Sequence, residues 1–198
     1  MTAILNAEAT VTTPALKLRP WEAKDVDALV AAHRDPEMCR WLTTTVTSIA
    51  GARRWIHEQS QDWSTGRRFS FAVLEHESEQ KGINLPIGHV VVKPLIGSDD
   101  PAAEVGYWIS AVARGRGIAP RALDVVSRWA LGPRSPLLLE RLDLIHAVGN
   151  RASCRVAEKS NYLLSSVLPP QPPDFPSEGH LHVRMDSAPC AVPQPGGS

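Results

Sequence analysis

Cysteine is nearly absent from this chain: three occur in 198 residues, Cys39, Cys154 and Cys190. They form no C-x-x-C pair and their number is odd, which argues against a disulfide framework and for reduced thiols, as expected of a cytoplasmic protein. Net charge is absent too. Lys plus Arg and Asp plus Glu both total 21, so no overall basic field recommends nucleic acid as a partner. No apolar run approaches the length of a membrane span, and no early segment joins a basic start to an apolar core, so neither a membrane association nor a secretory leader is expected. No internal repeat is present. The remainder, 43% hydrophobic and 21% charged, describes an ordinary globular protein of single-domain length, monomer or homodimer.

Hydrophobic periodicity orders the chain. Residues 16–21 alternate as a short strand. Val26, Leu29, Val30 and His33 share one helical face; Ile49, Ala52, Trp55, Ile56, Gln59 and Trp63 share a second, with Ser48 as N-cap. The threonine-rich stretch 38–47 between them reads as a loop. Residues 68–75 and 86–95 read as strands joined by a charged hairpin loop around 77–84. A strand over 104–111 is followed by a helix beginning near Pro120, whose packed face is Ala122, Leu123, Val125, Val126, Trp129 and Ala130; a strand over 141–148 and a short helix over 151–159 come next. Residues 162–168 and 179–186 read as an antiparallel pair, but Pro169, Pro170, Pro172, Pro173 and Pro176 crowd their connection and exclude regular structure there. That connection is either a lid over a substrate site or a stiff solvent-exposed link. Residues 1–14 have no period and are expected to be a flexible arm, 188–198 a disordered tail, leaving one domain over 15–187.

Between the strand over 104–111 and the helix near Pro120 lies Arg114-Gly115-Arg116-Gly117-Ile118-Ala119. Two glycines spaced by one residue let the backbone take positive φ and approach a ligand closely. The helix start that follows adds free N–H groups and a positive dipole end, so the segment reads as a pyrophosphate cradle. It is not a dinucleotide fingerprint, which needs a third glycine, nor a Walker loop, which needs G-K-S or G-K-T. Its order, Arg114, Gly117 and Ala119 at the spacing R-x-x-G-x-A, resembles the phosphate loop of the GCN5-related N-acetyltransferases (GNAT). The lead-in 103–110, Ala-Glu-Val-Gly-Tyr-Trp-Ile-Ser, is similar to the RimJ/RimL-like branch, which acetylates protein N-termini or small amines. Two further blocks match in order: Leu18-Arg19-Pro20-Trp21-Glu22 with Asp25, Leu29, Asp35-Pro36-Glu37 and Arg40-Trp41-Leu42; and Asn150, Ser153, Val156, Glu158 and Lys159 at N-x-x-S-x-x-V-x-E-K.

The resemblance implies an α+β fold (α/β/α) in which a mixed, mostly antiparallel sheet of about seven strands splays around a coenzyme A site and carries about four flanking helices. It implies an acetyl-coenzyme A-dependent N-acetyltransferase with an amine acceptor, either a protein N-terminus or a small molecule, and no metal. Ile109, Ser110, Ala111 and Val112 would offer backbone groups to the pantetheine, Arg114, Gly115, Arg116, Gly117, Ile118 and Ala119 would take the pyrophosphate, and Asn150 would reach the pantetheine from the other wall. Asn150 is equally placed as a helix N-cap. Glu104 is the candidate general base, acting through water, with a surface salt bridge as the alternative; His89 and His146 stand behind it. The tyrosine that many relatives carry two residues before the Lys of the E-K pair is Ala157 here, so Ser153 is the candidate proton donor, and Tyr162 reads as core or pocket wall. Trp41, Thr43, Thr44 and Trp63 are candidates for the acceptor pocket, with Asp35, Glu37 and Asp174 as further contacts. The missing tyrosine leaves a second reading open, a coenzyme A-binding or interaction protein of the same fold with impaired catalysis.

Overall fold

The computed structural model describes residues 3–76, 85–97, 100–173 and 175–185. The hairpin loop around 77–84, Asp174, Cys190 and the tail over 188–198 lie outside them. Eight strands form a single sheet in the order β1-β2-β3-β4-β5-β6-β8-β7. They are β1 (Leu5–Ala7), β2 (Leu16–Pro20), β3 (Phe69–Glu75), β4 (Gly88–Pro94), β5 (Ala102–Ile109), β6 (Arg141–Ala147), β7 (Leu163–Leu168) and β8 (Gly179–Met185). Every neighbouring pair is antiparallel except β5 and β6. The expected strands are all present. β1 is the addition: part of the stretch over 1–14, expected to be a flexible arm, pairs residue by residue with β2, Leu5 opposite Leu18 and Ala7 opposite Leu16.

Five helices accompany the sheet among the described residues. α1 (Val26–Ala32), α2 (Pro36–Cys39) and α3 (Ile49–Ser64) serve one face, α4 (Ile118–Leu131) and α5 (Arg151–Lys159) the other. Strand alternation sorts the two cores. Phe69, Phe71 and Val73 of β3 pack with Leu123, Val126 and Ala130 of α4, while Ala72 and Leu74 pack with Leu29, Val30 and Ile56 on the opposite side. Both faces of the central strands are covered, so β3 is buried almost throughout.

Local chemistry starts the helices. The Ser48 hydroxyl accepts from Gly51 N at 3.0 Å and the Asp35 carboxylate from Glu37 N at 3.1 Å, with Pro36 at the first helical position of α2. α2 lies partly within the segment read as a loop, 38–47, as does buried Val46, whose N–H donates to His33 Nδ1. α4 begins at Ile118, ahead of the expected start near Pro120, because Gly117 caps it in the left-handed region. Pro120 then falls in the first turn, where no intrahelical N–H is required. The proline-rich connection after β7 contains one bridge, Gln171 to Phe175, where a connection without regular structure was expected.

One buried ion pair ties β2 to the turn that enters α1. The Arg19 guanidinium donates to both oxygens of Asp25, at 2.7 and 2.9 Å, and Asp25 also accepts from Glu22 N at 2.8 Å. Both partners are buried, so removing Asp25 takes from the Arg19 guanidinium its two-point carboxylate, leaving it Glu22 at 3.3 Å and Pro20 O among its partners. Asp25→Ala should therefore lower the unfolding free energy by about 3–5 kcal/mol, measured as a shifted urea midpoint at unchanged slope.

Candidate active site

The site begins where a ladder stops. β5 and β6 pair from Ala102 opposite Arg141 to Val105 opposite Leu144 and no further. β5 continues along β4 as far as Ile109 opposite Gly88, and β6 continues along β8 as far as Ala147 opposite Gly179. Each strand is held by its outer neighbour while the inner edges part. The gap therefore exposes strand edges without β-sheet partners, the recognition surface an extended amide-bearing ligand can join.

Beyond β5 the chain folds over the end of the gap. Ser110 N donates to Ile87 O at 2.9 Å, Ala111–Ala113 form one turn of 3-10 helix, and Gly115 and Gly117 take φ of 73° and 70°. A Cβ added at either glycine would meet nothing within 4 Å, so what requires glycine is the left-handed backbone and the approach it leaves open. The fourteen-residue helix α4 starts at once, anchored by fully buried Ile118, with Ala119 beside it in the first turn. This is the geometry of an anion cradle built from backbone N–H groups. The two arginines have other partners. Arg114 donates through Nε to Ile109 O at 3.2 Å and places its guanidinium on Asp35, while Arg116 meets Glu75 at 2.6 Å. Both side chains brace the loop, and Asp35, expected as an acceptor contact, is occupied in that brace. Val112 is exposed on the loop.

The opposite wall belongs to α5. Asn150 Oδ1 caps it by accepting from Ser153 N at 3.2 Å, leaving the amide NH2 as a donor. The Ser153 hydroxyl accepts from Tyr107 Oη at 3.1 Å. Burial pushes the Tyr107 phenol up to about 12, so it is a protonated donor at neutral pH. In the sequence Tyr107 has a place in the 103–110 lead-in and no role of its own, although it neighbours Trp108 and must therefore lie on the opposite face of β5 from it. Trp41 reaches this wall from the other side of the site: a Cβ at Gly149 would lie 3.8 Å from its ring, and the Arg40 guanidinium covers that ring at 4.9 Å.

The remaining candidates scatter. Glu104 sits on the paired part of β5, partly exposed, with Lys93 Nζ at 2.6 Å. Thr43 and Thr44 are exposed. Trp63 is not beside Trp41: it is buried edge to face against Phe69 and Phe71, because the last turn of α3 carries it into the core on the α4 side. His89 is buried beside Trp21, Trp55 and Trp108, accepts from Trp21 Nε1 at 3.0 Å, and is held down to about 3 chiefly by that burial. It is a neutral core residue. Tyr162 is core as well, its hydroxyl 2.6 Å from Ser127 Oγ. His146 lies in a cluster with Cys154, His180 and His182 that sequence spacing gave no cause to group. No described helix is long and apolar enough to cross a membrane.

Residues 15–162 match the family described as Acetyltransferase (GNAT) domain. No curated protein matches the chain by sequence. Among solved structures, Mycobacterium smegmatis RimJ in complex with CoA-disulfide is similar at TM-score 0.77 and 16% identity, over 98% of this chain and 89% of that one. The ribosomal-protein-S5-alanine acetyltransferase of Vibrio fischeri is similar at TM-score 0.74 and 15% identity, over 91% and 97%. RimL, described as an alpha-N-protein acetyltransferase in complex with coenzyme A, is similar at TM-score 0.73 and 18% identity, also over 91% and 97%. At these identities the likeness is one of fold.

Gly117→Glu should place a carboxylate in the cradle and reduce acetyl-coenzyme A binding below calorimetric detection, whereas Gly117→Ala should mainly cost about 1–2 kcal/mol of stability through its left-handed φ. His89 gives a pH signature. Above pH 6.5 it is neutral folded and unfolded; as pH falls from 6.5 toward about 3 only the unfolded chain takes the proton. Its contribution to stability should then decline by about 1.4 kcal/mol per pH unit, and His89→Gln should flatten that slope in urea titrations by the same amount.

Proposed function

The chain belongs to the GNAT acetyltransferases, and from that premise we propose that it transfers the acetyl group of acetyl-coenzyme A to the α-amine of a protein or peptide N-terminus. The observation that carries the reading is the parting of β5 from β6 beside a glycine cradle at the start of α4. The cradle suits a pyrophosphate, and the parted edges suit the two amides of a pantetheine arm. Aligning the amine against the thioester carbonyl is then largely an entropic service.

The amine nitrogen attacks the thioester carbon, the oxyanion is met by a backbone N–H, and collapse breaks the C–S bond to release the thiolate. Glu104 takes the amine proton through water, with Lys93 fixing its carboxylate. Ser153 donates a hydrogen bond to the departing thiolate while Tyr107 donates to the serine oxygen, and the proton that Glu104 removed from the amine returns through water to the thiolate. In this arrangement β5 supplies, through Tyr107, a phenol that α5 lacks at Ala157. The thiol's ordinary pKa of about 8.5 asks little of that donor. An α-amine, near 8 against about 10.4 for lysine, likewise asks less of a partly exposed base. RimL, described as acting on protein α-amines, supports the same acceptor class.

Thiol release from acetyl-coenzyme A should require a peptide with a free N-terminus and fail with the same peptide N-terminally blocked and carrying lysine. Binding of acetyl-coenzyme A without release toward any peptide or small amine would instead favour the non-catalytic reading. Glu104→Gln should lower kcat by about 100-fold with little change in KM for acetyl-coenzyme A and should remove the acidic limb of the pH profile; Ser153→Ala should lower kcat by about tenfold.

A further inference from the structure

Outside the acyl-transfer site, His146 of β6, His180 and His182 of β8 and Cys154 of α5 converge. Register explains the meeting. His146 lies opposite His180 and Leu144 opposite His182, so the three imidazoles share the face that buries Leu142 and Leu144. Cys154 precedes fully buried Ala157 by one helical turn, so it points at that same face. One donor atom from each of the four residues lies within 4.8 Å of every other. Cys154 Sγ is 3.3 Å from His180 Nδ1, and the rings of His146 and His182 stack with centroids 5.1 Å apart.

The hydrogen bonds around the cluster are incomplete in an informative way. His146 Nδ1 is 2.9 Å from Ala147 O, which fixes its proton there and leaves Nε2 a lone pair; that Nε2 is buried without a partner among the described residues. His182 is 2% exposed, with the Tyr162 backbone beside one ring nitrogen and the other left without a partner among the described residues. Burying imidazole nitrogens without partners is unfavourable, and buried polar atoms left over in this way call for an explanation. A backbone carbonyl orienting one nitrogen while the other stays free is the arrangement that prepares histidine for a metal.

We propose that His146, His180, His182 and Cys154 form a four-coordinate binding site for a divalent transition metal, zinc by its donor set, that fastens α5 to β6 and β8. Three imidazoles and a thiolate suit zinc's tetrahedral preference, and four protein ligands leave no open position, as in structural sites. Zinc–nitrogen bonds of about 2.0–2.1 Å and a zinc–sulfur bond of about 2.3 Å put tetrahedral ligand atoms roughly 3.3–3.6 Å apart, so the donors close in by side-chain adjustments of about an ångström. The metal holds the helix whose first turn supplies Asn150 and Ser153, and it takes no part in acetyl transfer.

The test uses the full chain without a histidine tag, stripped by chelator and titrated with cobalt(II) as the spectroscopic probe. One equivalent should give tetrahedral d–d bands with a thiolate-to-cobalt charge-transfer band, and zinc should displace it. Cys154→Ser should lose the charge-transfer band, and His182→Gln should weaken binding by more than the roughly 10–100-fold that an outer hydrogen-bond partner costs. The exposed His57→Gln should change nothing. Should a cluster variant fail to fold, wild-type protein decides: zinc should protect Cys154, and not Cys39, from alkylation mapped by mass spectrometry. An octahedral cobalt spectrum without charge transfer, affinity equal in wild type and Cys154→Ser, or no protection of Cys154 overturns the site. Thiol release from acetyl-coenzyme A, measured separately, leaves the two conclusions independent.

Discussion

The parallel ladder between β5 and β6, short by half a strand, is the constraint on which the rest of the molecule depends. A parallel pair needs a crossover, and α4 is that crossover. Its first turn must therefore stand at the end of β5, beside the place where the ladder opens. A glycine-capped helix start and a pair of free strand edges thus become neighbours from one connection. The antiparallel partners β4 and β8 keep both strands paired beyond Val105 and Leu144, so the opening leaves the facing edges of 106–109 and 145–147 without each other and does not loosen the sheet.

Contacts across the opening set its walls. Arg114 joins the cradle to Asp35 at the start of α2, Arg116 joins it to Glu75 at the end of β3, Tyr107 joins β5 to Ser153 of α5, and Trp41 lies against the turn before Asn150. Partly exposed ion pairs of this kind contribute little to global stability. Their effect is positional: they fix a loop whose two glycines would otherwise give it wide conformational freedom. Global stability comes from elsewhere, from the two cores on either side of the sheet and from the Arg19–Asp25 pair, whose carboxylate also holds the turn into α1.

α5 is short, yet its positions face different neighbours. Asn150 caps it, Ser153 meets Tyr107, Cys154 turns to the histidines of β6 and β8, and Ala157 packs into the core. With little apolar surface of its own, such a helix depends on tertiary anchoring. A cluster of imidazoles and a thiol lies beneath it, near the end where Asn150 and Ser153 stand.

What could be read along the chain was whatever depends on near neighbours. The cradle was legible because the demand for positive φ at Gly115 and Gly117 is local. The span of α5 was legible because an N-cap at Asn150 marks a helix start without reference to the sheet. β1 was not, since three residues carry no usable period and become a strand only against β2. Trp63 shares a helical stripe with Ile56 and Gln59, but where the end of that stripe packs is decided by how α3 crosses the sheet. Arg114 has its carboxylate at Asp35, 79 residues away, and Tyr107 its serine 46 residues on. The four-residue cluster depends on the pairing of β6 with β8 and on the rotation of α5 above them. Periodicity tells a residue which face of its own element it occupies, while register and helix placement, settled only when the whole sheet packs, decide what that face meets.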